Sequence, residues 1–78
     1  MLFYEKNRVE LSKDEQEIIE FLKVYELQTK QSINHVQVAR YTGIPPYRTQ
    51  KALHKLFKKN IVRRSLLQSL PEYRVFLT

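Results

Sequence analysis

The sequence has no cysteine and only one glycine among 78 residues. Without thiols there is no disulfide framework, no thiolate zinc site and no redox switch, so packing alone must hold the core. A single glycine leaves no material for a glycine-rich loop that cradles phosphates. No stretch approaches the roughly eighteen apolar residues that span a bilayer. The opening MLFYEKNRVEL lacks the basic start, long apolar segment and small-residue cleavage site of a secretion signal. The expectation is a cytoplasmic protein with no membrane partner. Acids are also scarce over most of the chain: beyond Glu26 there is only Glu72.

What is present is positive charge. Lys and Arg total 14 against 8 Asp and Glu, a formal net charge of +6, which favours polyanionic partners such as nucleic acid or an anionic membrane. The average conceals a division. Residues 1–29 hold four cations against seven acids, a net of −3, whereas residues 30–78 hold ten cations against one acid, a net of +9. The 42% hydrophobic content suffices for one small domain and leaves no room for a second.

Local chemistry predicts three helices. Ser12-Lys13-Asp14-Glu15 has the spacing of a capping box, a hydroxyl followed three residues later by a carboxylate, so a helix should start there and run over about 13–28. Ile18, Ile19, Leu22 and Tyr25, with Phe21 at the margin, form its core stripe, and Val24 and Leu27 fall on the other side. Asn34-His35-Val36-Gln37 repeats the capping logic after the apolar entry Ser32-Ile33 and predicts a helix over 35–42 that stops at Gly43. Ile44-Pro45-Pro46 then marks a turn and the start of a third helix, about 46–59. Its inward stripe is Thr49, Ala52, Leu53, Leu56 and Phe57. Asn60 suits a left-handed helix exit, after which residues 61–67 and 73–77 read as two strands joined by a turn. Residues 1–11 are either an arm or a short strand.

The order of elements carries more than any one of them. Val38-Ala39-Arg40-Tyr41-Thr42-Gly43-Ile44 resembles the first helix and turn of a helix-turn-helix: an apolar residue, a small alanine where helices approach, a glycine four residues later, then an apolar plug. Thr49, Ala52 and Leu53 match the inward positions of its second helix. Asn60-Ile61-Val62-Arg63-Arg64 resembles the exit into a basic strand, and Val75-Phe76-Leu77-Thr78 the end of a second wing strand in regulators of the MarR type. Over residues 12–78 the chain resembles a winged helix-turn-helix domain of the small prokaryotic, viral or plasmid kind. That resemblance implies an α+β fold, mainly α, with three helices followed by a β-hairpin wing.

It also implies a function, transcription regulation by sequence-specific binding of double-stranded DNA, with the third helix in the major groove and the wing on the backbone. The site residues carried over are Tyr47, Arg48, Gln50, Lys51, His54, Lys55 and Lys58 on the helix and Arg63, Arg64 and Arg74 on the wing. Their chemistry agrees, since Gln reads adenine bidentately, Lys donates to guanine, and cations gain affinity by releasing counterions. The opposing reading makes the lysines only the wet side of an amphipathic helix and seats Tyr47 at the core edge. The wing tip departs from the family, with Leu70, Pro71 and Glu72 where glycine and lysine are common.

Catalysis has little material. His35 and His54 lie on different helices with no acid cluster at metal-ligand spacing, and Glu15, Glu17 and Glu20 read as the outer side of a surface helix. Neither an enzyme, a metal, a cofactor nor a small-molecule effector is expected. A homodimer would double the specific contacts, with Val24, Leu27, residues 2–4 and the free face of the hairpin as its candidate surface. Two other functions fit the same fold: a protein-interaction module, and a DNA-binding protein of replication or partition.

Overall fold

The computed structural model describes residues 2–4 and 9–76. In chain order its elements are β1 (Leu2–Tyr4), β2 (Val9–Leu11), α1 (Lys13–Thr29), β3 (Ile33–Asn34), α2 (His35–Thr42), α3 (Pro46–Lys58), β4 (Val62–Ser65) and β5 (Glu72–Val75). The fold is α+β and mainly helical, with three helices followed by an antiparallel hairpin, as in a winged helix.

Helix boundaries follow the capping chemistry. Ser12 Oγ accepts from the Glu15 N–H at 3.2 Å and Glu15 Oε1 accepts from the Ser12 N–H at 3.0 Å. Asn34 and Gln37 make the same reciprocal pair at the start of α2. Gly43 ends α2 in the left-handed region, φ 79°, and its N–H donates to the Ala39 carbonyl at 2.8 Å. Pro46 opens α3 in the first turn, where its missing N–H costs nothing. Thr49 Oγ1, fully buried, donates to the Ile44 carbonyl at 3.2 Å and locks the corner between the two helices. At the other end of α3, Asn60 takes φ 62° while the Ile61 N–H returns to the Leu56 carbonyl.

A Cβ built onto Gly43 meets no atom within 4 Å. The only penalty for a side chain there is the left-handed backbone. Gly43→Ala should therefore cost about 1 kcal/mol in chemical denaturation, and Gly43→Asn less, because Asn tolerates that conformation.

The sheet differs from the sequence expectation in two ways. First, it has three strands in the order β3-β5-β4, so the hairpin is joined along β5 by the short strand β3. Ile33 pairs with Tyr73 and Asn34 with Glu72, while Ser32 Oγ donates to Glu72 Oε1 at 2.8 Å. Two residues are too few to show a period, which hid β3 in the sequence. Second, the strands expected over 61–67 and 73–77 shorten to β4 and β5, and Leu77 lies outside the described residues. Leu66 and Leu67 are 66% and 92% exposed, because no layer among the described residues offers them a surface to pack on beyond β4. Of the two alternatives for residues 2–4 the structure shows the short strand, paired antiparallel with β2 in a separate two-stranded sheet in the register Leu2 to Leu11.

The core lies between the helices and one face of this sheet. Ile18, Ile19 and Leu22 of α1 meet Leu53 and Leu56 of α3, with Ile33, Val62 and Tyr73 contributed by the strands. Leu11, the last residue of β2, is 2% exposed within the same cluster and anchors that strand in the core. Phe57, expected on the inward stripe, is only half-buried at the rim.

Candidate nucleic-acid interface

The 3.6-residue period of α3 divides its side chains into three strips. Thr49, Ala52, Leu53 and Leu56 point into the core. Opposite them Tyr47, Lys51, His54 and Lys58 form an exposed line along a helix about 20 Å long. Tyr47 is 73% exposed, which removes the reading that placed it at the core edge. Between core and crest run two flanks, Arg48 and Lys55 on one, Gln50 and Phe57 on the other.

Each flank meets a different element. The Arg48 and Lys55 flank faces the start of α1, across an open groove of about 250 Å³ lined by Ser12, Asp14, Arg48, Lys51, Ala52 and Lys55. Phe57, on the other flank, lies under the wing, with the Arg64 guanidinium 4.1 Å above its ring centroid. Stacking on an aromatic face satisfies Arg without consuming its hydrogen-bond donors. Arg64 is thereby held beside α3.

The two other wing arginines go elsewhere. Side chains alternate along a strand and directly opposed partners share a face, so Arg63 and Arg74, which oppose each other, lie on the other side of the sheet from Arg64. Arg63 sits 4.9 Å from the centroid of the Phe76 ring. Arg74 donates through Nε to Glu26 Oε1 at 2.9 Å and through Nη2 to Glu26 Oε2. Glu26 lies twelve residues along α1 from Asp14, about 18 Å on an ideal helix. Of the ten cation and contact residues singled out in the sequence, α3 and Arg64 form one continuous surface, and Arg63 and Arg74 do not join it.

Acids of α1 also reach into the basic half of the chain, a feature the sequence did not disclose. Asp14 accepts from Arg48 Nε at 3.0 Å and from Nη2 at 2.7 Å, a bidentate pair. Glu15 is only 3% exposed and accepts from Lys59 Nζ at 2.7 Å, while the same ammonium donates to the Glu10 carbonyl at 2.9 Å. The expectation that Glu15 lies on the outer side of its helix is thus wrong; Glu17 and Glu20 are exposed as expected. The arginine hydrogen bonds hold Asp14 and Glu26 below the usual carboxylate range. For Glu15 burial works in the opposite direction and is the largest single influence, but Lys59 and Ser12 together outweigh it and the pKa is lowered. Each pair spans 34 to 48 positions in sequence, beyond the reach of any local pattern.

Lys51, Lys55 and Lys58 make no ion pair among the described residues. α3 carries no acid at all. Together with Arg64 these three lysines give the α3 surface four cations that make no ion pair among the described residues. Among the described residues no group of three or more His, Cys, Asp or Glu is placed to hold a metal ion, and no helix is long and apolar enough to cross a membrane. Tyr41, 67% exposed on α2, stacks on Phe21 of α1 with centroids 5.3 Å apart, and Tyr25 completes a small aromatic cluster.

The chain matches no protein-family model and no curated protein.

Proposed function

We propose that this chain is a winged-helix transcription regulator, similar to the MarR type, that binds double-stranded DNA with α3 in the major groove. The observation that carries the reading is the exposed line Tyr47, Lys51, His54 and Lys58, cationic, free of acids and bordered by Gln50 and Lys55. A helix of this width enters the major groove of B-DNA, where lysine donates to guanine and glutamine pairs with adenine. The flanking cations supply affinity that is independent of sequence, by counterion release. Arg64, seated on Phe57 beside the helix, is the wing residue best placed to reach an adjacent phosphate. Occupying a promoter requires nothing more from a domain of this size, and a second copy on a neighbouring half-site would double the contacts read.

A titration of random-sequence duplex DNA at several salt concentrations tests the reading. The four cations outside any ion pair among the described residues predict that log K falls with log salt at a slope of about −3.5. Binding that is undetectable at low salt overturns the assignment. Where binding occurs, footprinting across the protein's own genetic neighbourhood distinguishes promoter occupancy from a replication or partition role.

A further inference from the structure

Among the side chains lining the groove between α1 and α3, Asp14 is the sole carboxylate, against Arg48, Lys51 and Lys55. It does not sit passively there. Its two oxygens take the Nε and Nη2 donors of Arg48, the edge of the guanidinium that matches carboxylate, phosphate and guanine in bidentate fashion. Arg48 cannot offer that edge to DNA while Asp14 holds it. The Arg48 side chain is half-exposed and Asp14 about one-fifth exposed, so the pair lies open at the mouth of the groove, where an incoming phosphate can reach it.

Resting on the DNA-binding reading, we infer that Asp14 is a restraint on docking. It withholds Arg48 from the nucleic acid and places one negative charge inside the basic surface. A phosphate that binds Arg48 must displace a carboxylate already in bidentate contact, so indiscriminate backbone contacts gain less from this arginine than from the lysines beside it. Discrimination by an opposing charge, rather than by an added attraction, is an established route to specificity. Asp14 lies in the first turn of α1, where a carboxylate also interacts favourably with the helix dipole, so its structural and restraining roles must be separated by experiment.

The test compares wild type, Asp14→Asn, Arg48→Ala and the double variant by titration with random-sequence duplex DNA over a salt series. Thermal melts confirm that each variant is folded. The restraint predicts that Asp14→Asn binds about 5- to 10-fold tighter near 0.1 M salt, with a salt slope steeper by about one because Arg48 becomes a phosphate contact. Most of that gain should vanish when Arg48 is already alanine. A purely structural Asp14 would leave the slope unchanged, and a positioning role would weaken binding in Asp14→Asn; either result overturns the inference while leaving the DNA reading intact. Absence of binding by wild type and variant alike removes both.

Discussion

Replacing Lys51 and Lys55 together by glutamate is expected to lower affinity for duplex DNA about 100-fold near 0.1 M salt and to flatten the salt slope by about two. Both side chains are exposed on α3 and neither is ion-paired among the described residues, so the loss cannot be traced to a broken internal contact. The Lys55→Glu change, near the helix C-terminus, opposes the dipole, but that costs only about a few tenths of a kcal/mol. Circular dichroism should therefore report a folded protein. Neutral replacements, Lys51→Gln with Lys55→Gln, should give about a tenfold loss, because two contacts vanish without added repulsion. Unchanged affinity in the glutamate variant would show that this side of α3 does not meet DNA, and would favour the reading in which the lysines only solvate the helix.

The largest effect on stability is expected at Glu15. Truncation to alanine takes the acceptor from the Ser12 N–H, leaves the Ser12 Oγ cap on the residue-15 N–H in place, and leaves the Lys59 ammonium with only the Glu10 carbonyl. Loss of the hydrogen bond to the Ser12 N–H is worth about 1 kcal/mol, and stranding one member of a largely buried ion pair costs more, tempered here by the partial exposure of Lys59. A total of about 2–3 kcal/mol is expected, which lowers the melting temperature of a domain this small by about 10–20 °C. Glu15→Gln retains an acceptor for Ser12 and should cost about half as much.

Acid titration gives an independent reading of the same residue. The folded-state pKa of Glu15 lies below its ordinary 4.5, so its contribution is fully present above that pH and is lost as pH falls through the folded value. Asp14 and Glu26 behave in the same sense, from ordinary values of 3.8 and 4.5. Stability should decline as pH drops below about 4.5, and the decline should be shallower in Glu15→Gln than in wild type. An identical acid limb in the two proteins would mean that Glu15 does not prefer its ionised form in the native state.

How much of this was legible beforehand depends on the range of the interaction. Ser12 with Glu15, Asn34 with Gln37, Gly43 and the proline pair act within four residues, and they placed all three helices to within one residue of their observed ends. The outward line of α3 followed from the same short period. What escaped notice was long-range. Nothing near Glu15 announces Lys59, and without that partner a glutamate between Asp14 and Gln16 reads as wet surface. Asp14 likewise looks like an ordinary first-turn acid until α3 brings Arg48 to it. The shortened hairpin has a related cause: Leu66 and Leu67 favour extended backbone, but β structure requires a neighbour to pair and pack with, and their sequence does not reveal where the sheet ends.

Asn34 holds two positions at once, opposite Glu72 in the sheet and at the N-cap of α2. The turn end of the paired stem, where Ser65 opposes Glu72, is thereby fastened to the N-cap of α2, while residues 66–71 run on beyond the paired strands. In mechanical terms the wing is a cantilever with its root clamped. A load on its tip bends the free leucine-rich end first, and any displacement large enough to move the root must carry α2 with it.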